Sequence, residues 1–232
     1  MAKTVIHLVR HGQYSRLIPD ETGGEPATEW AVRSDGGLTP LGAEQAGLTA
    51  GRLREYPVGA IHCSSLPRAA QTAAIIAEEF PGIRVQSSRL LWECIPYVSP
   101  SIAALLPSLP EEDIARGQER AAQAYERYIE RAPTGEPSTG KASTRNAPTG
   151  KASTGNVSTG NVPTGSDHEV VVCHGNLIRY FVARVMGGEL DAWVRMGTFH
   201  CGISQIEIVD DWAVLVCHND SGHLPADKRT GS

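Results

Sequence analysis

Two kinds of apolar pattern alternate along this chain. Val5-Ile6-His7-Leu8-Val9 and Val170-Val171-Val172-Cys173 are short, largely β-branched runs closed within a few residues by a histidine and a glycine, and such runs read as buried strands. Ala60-Ile61-His62-Cys63, a stretch around Ile83 to Val85, Cys201 to Val209 and Trp212 to His218 predict further strands, the last two joined as a hairpin at Asp210-Asp211. Between them the apolar positions take helical spacing. Thr39-Pro40 offers an N-cap and a first-turn proline for a helix to about Glu55, with Leu41, Ala46 and Leu53 inward. Ala69, Ala73, Ile76, Ala77 and Phe80 mark a second helix, stopped by Pro81-Gly82. Residues 111 to 132 predict a third, with Glu111, Glu112 and Asp113 in the first turn where the helix dipole favours anions. Its buried face is Ile114, Ala121, Tyr125, Tyr128 and Ala132. A fourth helix runs from about Asn176 to Met186 and closes at Gly187-Gly188, and Leu190 to Met196 predicts a further short one. Strands alternating with helices predict an α/β fold: a three-layer α/β/α sandwich on a mostly parallel sheet with an antiparallel edge.

Two stretches break the pattern. Residues 15 to 38 hold prolines, glycines and charges without a period and read as a surface loop. From Pro133 to Asp167 the chain is seven tandem pentapeptides, PTGEP through PTGSD. A period of five matches neither helix nor strand, and with no large apolar residue beyond two valines the segment cannot offset its ordering entropy by burial. It is predicted to be a disordered insertion, residues 133–167, in one domain spanning 1–232. Asn219 to Ser232 reads as a polar, irregular tail.

Composition narrows the function classes. The chain is 41% hydrophobic and 20% charged, ordinary for a globular protein, and its formal charge of -5 gives no electrostatic reason to expect nucleic acid or an anionic membrane as partner. No run of about 18 apolar residues is present to span a membrane, and the first strand begins within a few residues of Met1, which leaves no room for a leader. Five cysteines without a C-x-x-C pair agree with a reducing, cytoplasmic setting.

The chemistry gathers where strands end. In open α/β sheets, ligands lie beyond the carboxyl ends of the strands, and two predicted strands here end in Arg10-His11-Gly12 and His174-Gly175. Two such ends place both histidines at one pocket. Arg68 falls in the first turn of its helix, where the dipole disfavours a cation unless an anion sits in front of it. Arg10 and Arg68, permanently charged forks matched to phosphate oxygens, would then clamp a phosphoryl group, although each alone reads as a solvated charge. Within that clamp, His11 is largely neutral at pH 7, and neighbouring arginines would keep its lone pair free to attack phosphorus. His174 would donate to the equatorial oxygens, and Glu93, its pKa raised beside phosphate, would protonate the leaving group.

Arg10-His11-Gly12, the helix opening Leu38-Thr39-Pro40-Leu41-Gly42 with Gln45-Ala46, Ser64-Ser65 with Arg68-Ala69 and Thr72, Glu93 and His174-Gly175 follow one another in an order that resembles the histidine phosphatase (phosphoglycerate mutase-like) superfamily. Gln13-Tyr14, Asn176-x-Ile178-Arg179-Tyr180 and Asp220-x-Gly222-x-x-Pro225-x-Asp227-Lys228 resemble its serine/threonine-protein phosphatase branch. The resemblance implies a phosphohistidine on His11, a phosphate pocket of Arg10, Arg68 and His174, and Glu93 as proton donor. Gln13, Asn176 and His200 are candidates for the pocket rim. His200 stands where that branch shows asparagine, and for it a rim role and a structural polar cap are equally open. Gln13-Tyr14-Ser15-Arg16 does not reproduce the Ser and Asn of the glycolytic mutases, so hydrolysis is favoured over transfer.

The activity expected is therefore hydrolysis of a phosphomonoester, on phosphoserine or phosphothreonine in a protein. The alternatives are a small phosphorylated metabolite, a mutase, or a phospho-binding domain without catalysis. A homodimer is left open. No H-E-x-x-H, carboxylate cluster, Cys/His spacing or Gly-rich nucleotide loop points to a metal or cofactor. His7 and His62 read as core histidines, and His168, His218 and His223 show no partner pattern. Cys63, Cys94, Cys173 and Cys201 read as small apolar fillers, with the further hypothesis that a thiol beside the clamp is acidified and oxidisable.

Overall fold

Side chains alternate across a strand, so Ile6 and Leu8 leave the first strand on one side while Val9 leaves it on the other. The structure, a computed structural model, describes residues 3–15, 36–106, 109–130, 167–210 and 212–231. The strands are β1 (Lys3–Arg10), β2 (Val58–Ser64), β3 (Val85–Ser88), β4 (His168–Cys173), β5 (Ile203–Val209) and β6 (Trp212–Asp220). They form a six-stranded sheet ordered β3-β2-β4-β1-β5-β6. The first four run parallel, and β5 is antiparallel to both β1 and β6. The central strands are covered on both faces, which is why they read as unbroken apolar runs. Helices α3 (Glu111–Tyr128) and α4 (Gly175–Val185) cover Ile6, Leu8, Val171 and Cys173 with Ala121, Ala124, Tyr125, Leu177 and Phe181. On the other face α1 (Pro40–Leu53) and α2 (Pro67–Ala77) cover Val9, Val170 and Val172 with Ala50, Leu53, Ala69, Ala73 and Ile76. The three-layer α/β/α architecture is as expected.

Strands from either side of residues 131–166 sit next to each other, since β1 pairs with β4 from Val5 opposite His168 to Arg10 opposite Cys173. That register brings Arg10-His11 and His174 to the same edge. The helix starts follow local chemistry. Thr39 accepts a hydrogen bond from Gly42 N at 3.1 Å, with Pro40 as first residue of α1. Gly187, at φ +64°, terminates the turn after α4 in the left-handed region.

Several boundaries differ from expectation. The short strand lies at Val85–Ser88, not at Ile83 to Val85, because its register is set by pairing with Ile61–Ser64. Leu41 and Ile114 are only partly buried, the inward positions of their helices being Gln45, Ala46, Thr49 and Ala50 in α1 and Gly117, Ala121 and Ala124 in α3. α2 ends at Ala77, before Pro81. Leu190–Arg195 is a 3-10 helix. The expected insertion, apart from Asp167, lies outside the described residues, as do Ala132 and the surface loop over 16–35.

The tail is the larger correction. Its sequence is polar, yet β6 extends to Asp220, a 3-10 turn forms at Ala226–Lys228, and Thr230 bonds to Gln45 and His200. Three histidines without a sequence partner also have one in space. His168 Nδ1 meets His7 Nε2 at 2.9 Å, His218 bonds to Ser204 and Gly197, and His223 bonds to Thr49 and Cys201. Each partner is remote in sequence, so no local pattern announces it. No helix among the described residues is long and apolar enough to cross a membrane.

Candidate active site

The end of β1 is pinned from both sides, Arg10 N donating to Gly202 O at 3.2 Å and His11 N to Cys173 O at 3.1 Å. The next turn is held by Thr72, whose hydroxyl accepts from Gly12 N at 3.0 Å. Gly12 and Gly42 pass so closely that a Cβ on Gly42 would lie 1.9 Å from Gln13 O. Only glycine fits there.

This turn fixes the His11 tautomer. A carbonyl can only accept, so Nδ1, 2.8 Å from Gly12 O, carries the proton. Nε2 is left with its lone pair, and it accepts from Arg68 Nε at 3.2 Å. Arg68 comes from the first turn of α2, is 1% exposed, and stacks its guanidinium 4.7 Å from the centre of the Tyr14 ring. Tyr14 in turn sets its ring edge-on to His11, with centroids 5.0 Å apart. A buried cation in a helix's first turn is opposed by both desolvation and dipole, which an anion in front of it would relieve.

His174 caps the N-terminus of α4, and its ring lies 5.1 Å from that of His11. Its Nε2 is 2.8 Å from Ser64 Oγ, which also accepts from Leu66 N at 3.3 Å. With the Ser64 hydroxyl donating to Nε2, a neutral His174 carries its proton on Nδ1. Among the described residues, His174 Nδ1 and Arg10 Nε are buried nitrogens without a hydrogen-bond partner. Another guanidinium nitrogen of Arg10 bonds to the Thr198 carbonyl, which orients the fork. Buried donors are nearly always paired, so two orphans around one imidazole mark a place built to receive acceptor oxygens. The first turn of α4 adds free backbone N–H groups at the same place.

The electrostatics keep the histidines neutral. Burial, then His174, Arg68 and Arg10, hold His11 well below its ordinary pKa, and burial with Arg68, Arg10 and Arg120 does the same to His174. Glu93, just after the 3-10 turn Arg89–Leu91, accepts from Cys94 N at 3.2 Å. Part of its residue meets solvent, but the carboxyl is surrounded deeply enough that burial raises its pKa against the opposing pull of Arg68 and Arg10.

The other predicted residues divide. Gln13 uses its side chain to accept from the Thr39 hydroxyl at 2.8 Å, which ties it to the start of α1. Asn176 donates to Cys94 O at 3.2 Å and lines a cavity of about 410 Å³ with Ile95, Leu105, Arg179 and Trp193. His200 is inside the cluster, its ring 5.6 Å from that of His11. The hypothesis of an acidified thiol fails, because burial pushes Cys94 and Cys201 up to about 12 and raises Cys173 as well. All five cysteines are free. Tyr14, Ser64 and Thr72 stand in the motifs that carry the resemblance but without a role given there, and Thr230 lies in no motif; the structure places all four against the site. Among the described residues no group of three or more His, Cys, Asp or Glu side chains gathers in a way that could hold a metal ion.

Comparison with known proteins agrees with this geometry. The family model of the histidine phosphatase superfamily (branch 1) matches residues 6–97 and 107–221, and the chain belongs to that superfamily. It is similar to the mitochondrial serine/threonine-protein phosphatase PGAM5 of Homo sapiens, 29% identical over 233 residues, covering 98% of this chain and 66% of that protein. The Caenorhabditis elegans counterpart is 30% identical over 228 residues, covering 96% and 65%. The chain thus spans slightly less than two thirds of these relatives. Among solved structures, the fold is shared with phosphoglycerate mutase from Plasmodium falciparum, at TM-score 0.56 and 24% identity over 97% of this chain and 96% of that one. It is shared also with the alpha-ribazole phosphatase from Shigella flexneri, at TM-score 0.62 and 16% identity over 94% and 96%.

Proposed function

We propose that this chain is a phosphomonoester hydrolase that works without a metal, through a phosphohistidine on His11. The observation that carries the reading is the unprotonated Nε2 of a neutral, buried imidazole, held by Arg68 Nε, with the unpartnered nitrogens Arg10 Nε and His174 Nδ1 beside it. Nε2 attacks phosphorus and the bond to the ester oxygen breaks. The departing oxygen takes the proton of Glu93. Water then attacks the phosphohistidine, its proton returns to the Glu93 carboxylate, and the P–N bond breaks to regenerate the lone pair. Arg10, Arg68 and His174 hold the non-bridging oxygens as charge spreads over them, from positions already set around His11.

The substrate proposed is phosphoserine or phosphothreonine in a protein. The support is the name borne by the relatives that match nearly the whole chain. The cavity beside Asn176 is lined by Ile95, two residues from Glu93, and its Ile95, Leu105 and Trp193 walls suit an apolar neighbour of the phosphorylated residue. The setting proposed is cytoplasmic and reducing; the mitochondrial location in the relatives' names is theirs. Brief exposure to a phosphate-labelled monoester, quenched in alkali, tests the mechanism: acid-labile label on the wild type and none on His11→Ala. Equal label on both proteins overturns it. Turnover of a phosphopeptide panel against sugar phosphates and phosphoglycerates decides the substrate, and reaction with metabolites alone would reassign it.

A further inference from the structure

His200 has one ring nitrogen braced by the tail and one without a partner among the described residues. The brace starts at Gln45, buried in α1. The backbone N–H of Gln13 can only donate, and its partner at 2.8 Å is Gln45 Oε1. The amide is therefore oriented with Nε2 toward the tail, where it donates to Lys228 O at 2.6 Å and to Thr230 Oγ1 at 2.9 Å. The Thr230 hydroxyl, which accepts from Gln45, lies 2.9 Å from His200 Nδ1 and can give its hydrogen to that nitrogen. In that arrangement the neutral ring carries its proton on Nε2.

That Nε2–H is the atom without a place to go. His200 is 9% exposed, and among the described residues Nε2 is buried without a hydrogen-bond partner. The ring cannot turn to find one, because its Nδ1 edge is held by the Thr230 hydroxyl and its backbone N–H donates to Thr230 O at 2.8 Å. The Gly231 backbone closes the same side, where a Cβ would come within 3.2 Å of Nδ1 and 2.7 Å of an Arg10 guanidinium nitrogen. Nε2 lies on the other edge of a ring packed 5.6 Å from His11 and 6.4 Å from Tyr14. A nitrogen that is held in place, buried and unpartnered beside His11 matches the pattern already seen at Arg10 Nε and His174 Nδ1.

We propose that His200 is a third orphan donor of the anion site, giving its Nε2–H to a non-bridging phosphoryl oxygen, with Thr230 and Gln45 as the positioning residues that hold its tautomer. This rests on the reading of the site as a phosphoryl pocket and extends it to the carboxyl-terminal tail. Burial and the two guanidiniums lower the His200 pKa to about 3, so the ring remains a neutral donor across the working range instead of switching with pH. Where an asparagine would offer a short amide, this chain offers an imidazole braced by its own tail.

The test uses the full chain and inorganic phosphate, with affinity read by calorimetry beside kcat and KM on an aryl phosphate. His200→Phe keeps the ring and removes both nitrogens, and phosphate affinity and kcat/KM should each fall by about 10- to 100-fold, the range for a hydrogen bond to a charged group. His200→Gln, whose amide nitrogen reaches about as far as Nε2, should recover most of that loss. Thr230→Val, which removes only the brace, should weaken phosphate binding by about 2- to 10-fold. Unchanged phosphate affinity in His200→Phe overturns the proposal. If that variant does not fold, unchanged affinity in Thr230→Val does so. The outcome separates from the phosphohistidine mechanism: wild type that takes label on His11 while His200 variants bind phosphate normally sinks this proposal alone. Phosphate binding that depends on His200 without any label on His11 sinks the mechanism alone.

Discussion

Arg68 Nε donates to His11 Nε2 across 3.2 Å, so the nitrogen proposed to attack phosphorus is the one a guanidinium already holds. In the proposed mechanism a phosphoryl oxygen takes over that N–H before the lone pair reaches phosphorus, which gives Arg68 two roles, clamp and guard of the nucleophile.

Arg68→Lys should expose this double role. An ammonium has no planar fork, cannot stack on Tyr14 in the same way, and places its charge as a point. kcat/KM should fall by about 10²- to 10³-fold, the cost of losing one preorganised donor, with kcat falling as well as KM rising. Steady-state kinetics at matched thermal stability checks it; a change confined to KM would show that Arg68 only binds.

The pH profile should be displaced at both ends. His11 and His174 are held well below 6.5, so kcat/KM, corrected for ionisation of the substrate, should show no acid limb near pH 6.5. Glu93 must be protonated to donate, and its pKa is raised, so the rate should fall on the alkaline side as that proton is lost. Glu93→Gln should abolish the alkaline limb and lower the plateau by about 10²- to 10⁴-fold. An acid limb near 6.5 would mean that His11 titrates as a solvated imidazole.

Stability should depend on pH through a pair at the far end of the sheet. His7 is buried, bonded to His168 and packed on Tyr56, and burial lowers its pKa from 6.5 to about 4. Between those values the unfolded chain binds a proton that the folded chain does not, so stability is full above pH 6.5 and is lost as pH falls toward 4. The loss is at most about 3 kcal/mol. Urea midpoints should drop from pH 7 to pH 5 in the wild type and drop less in His7→Phe. Parallel pH dependence in the two proteins would show that other groups govern it.

Gly42→Ala should disrupt the site through the backbone. Its Cβ would meet Gln13 O at 1.9 Å, in the turn that carries His11 and Gly12. Overpacking of this kind costs about 1–3 kcal/mol, and here the turn that sets the His11 tautomer must move. Gly47 in the same helix has no atom within 4 Å of such a Cβ, so Gly47→Ala should instead stabilise by about 0.5–1 kcal/mol with activity unchanged. Thermal melts and turnover of the two variants side by side make the comparison.

Mild peroxide should leave activity intact. Burial pushes Cys94 and Cys201 up to about 12, and the thiolate is the oxidisable form. Rapid inactivation that a thiol reductant reverses would contradict that assignment.

The sequence by itself determined the layers and which residues are candidates for the site. Unbroken apolar runs are legible as central strands because both faces are buried, and Arg10-His11-Gly12 and His174-Gly175 are legible because the chemistry sits within a few residues of a strand end. What only the tertiary structure decided depends on contacts across long sequence separations. The pairing of β1 with β4 brings His11 and His174 together, and no local period encodes which strands become neighbours. The His11 tautomer comes from one carbonyl, and the brace on His200 comes from Gln45 and Thr230, 185 residues apart. The tail reads as irregular because, Leu224 apart, its partners are single hydrogen bonds to distant residues rather than an apolar face. The acidities went the same way: sequence shows which groups can titrate, but desolvation is set by what packs around them, and here burial raises the Cys173 thiol and lowers His11.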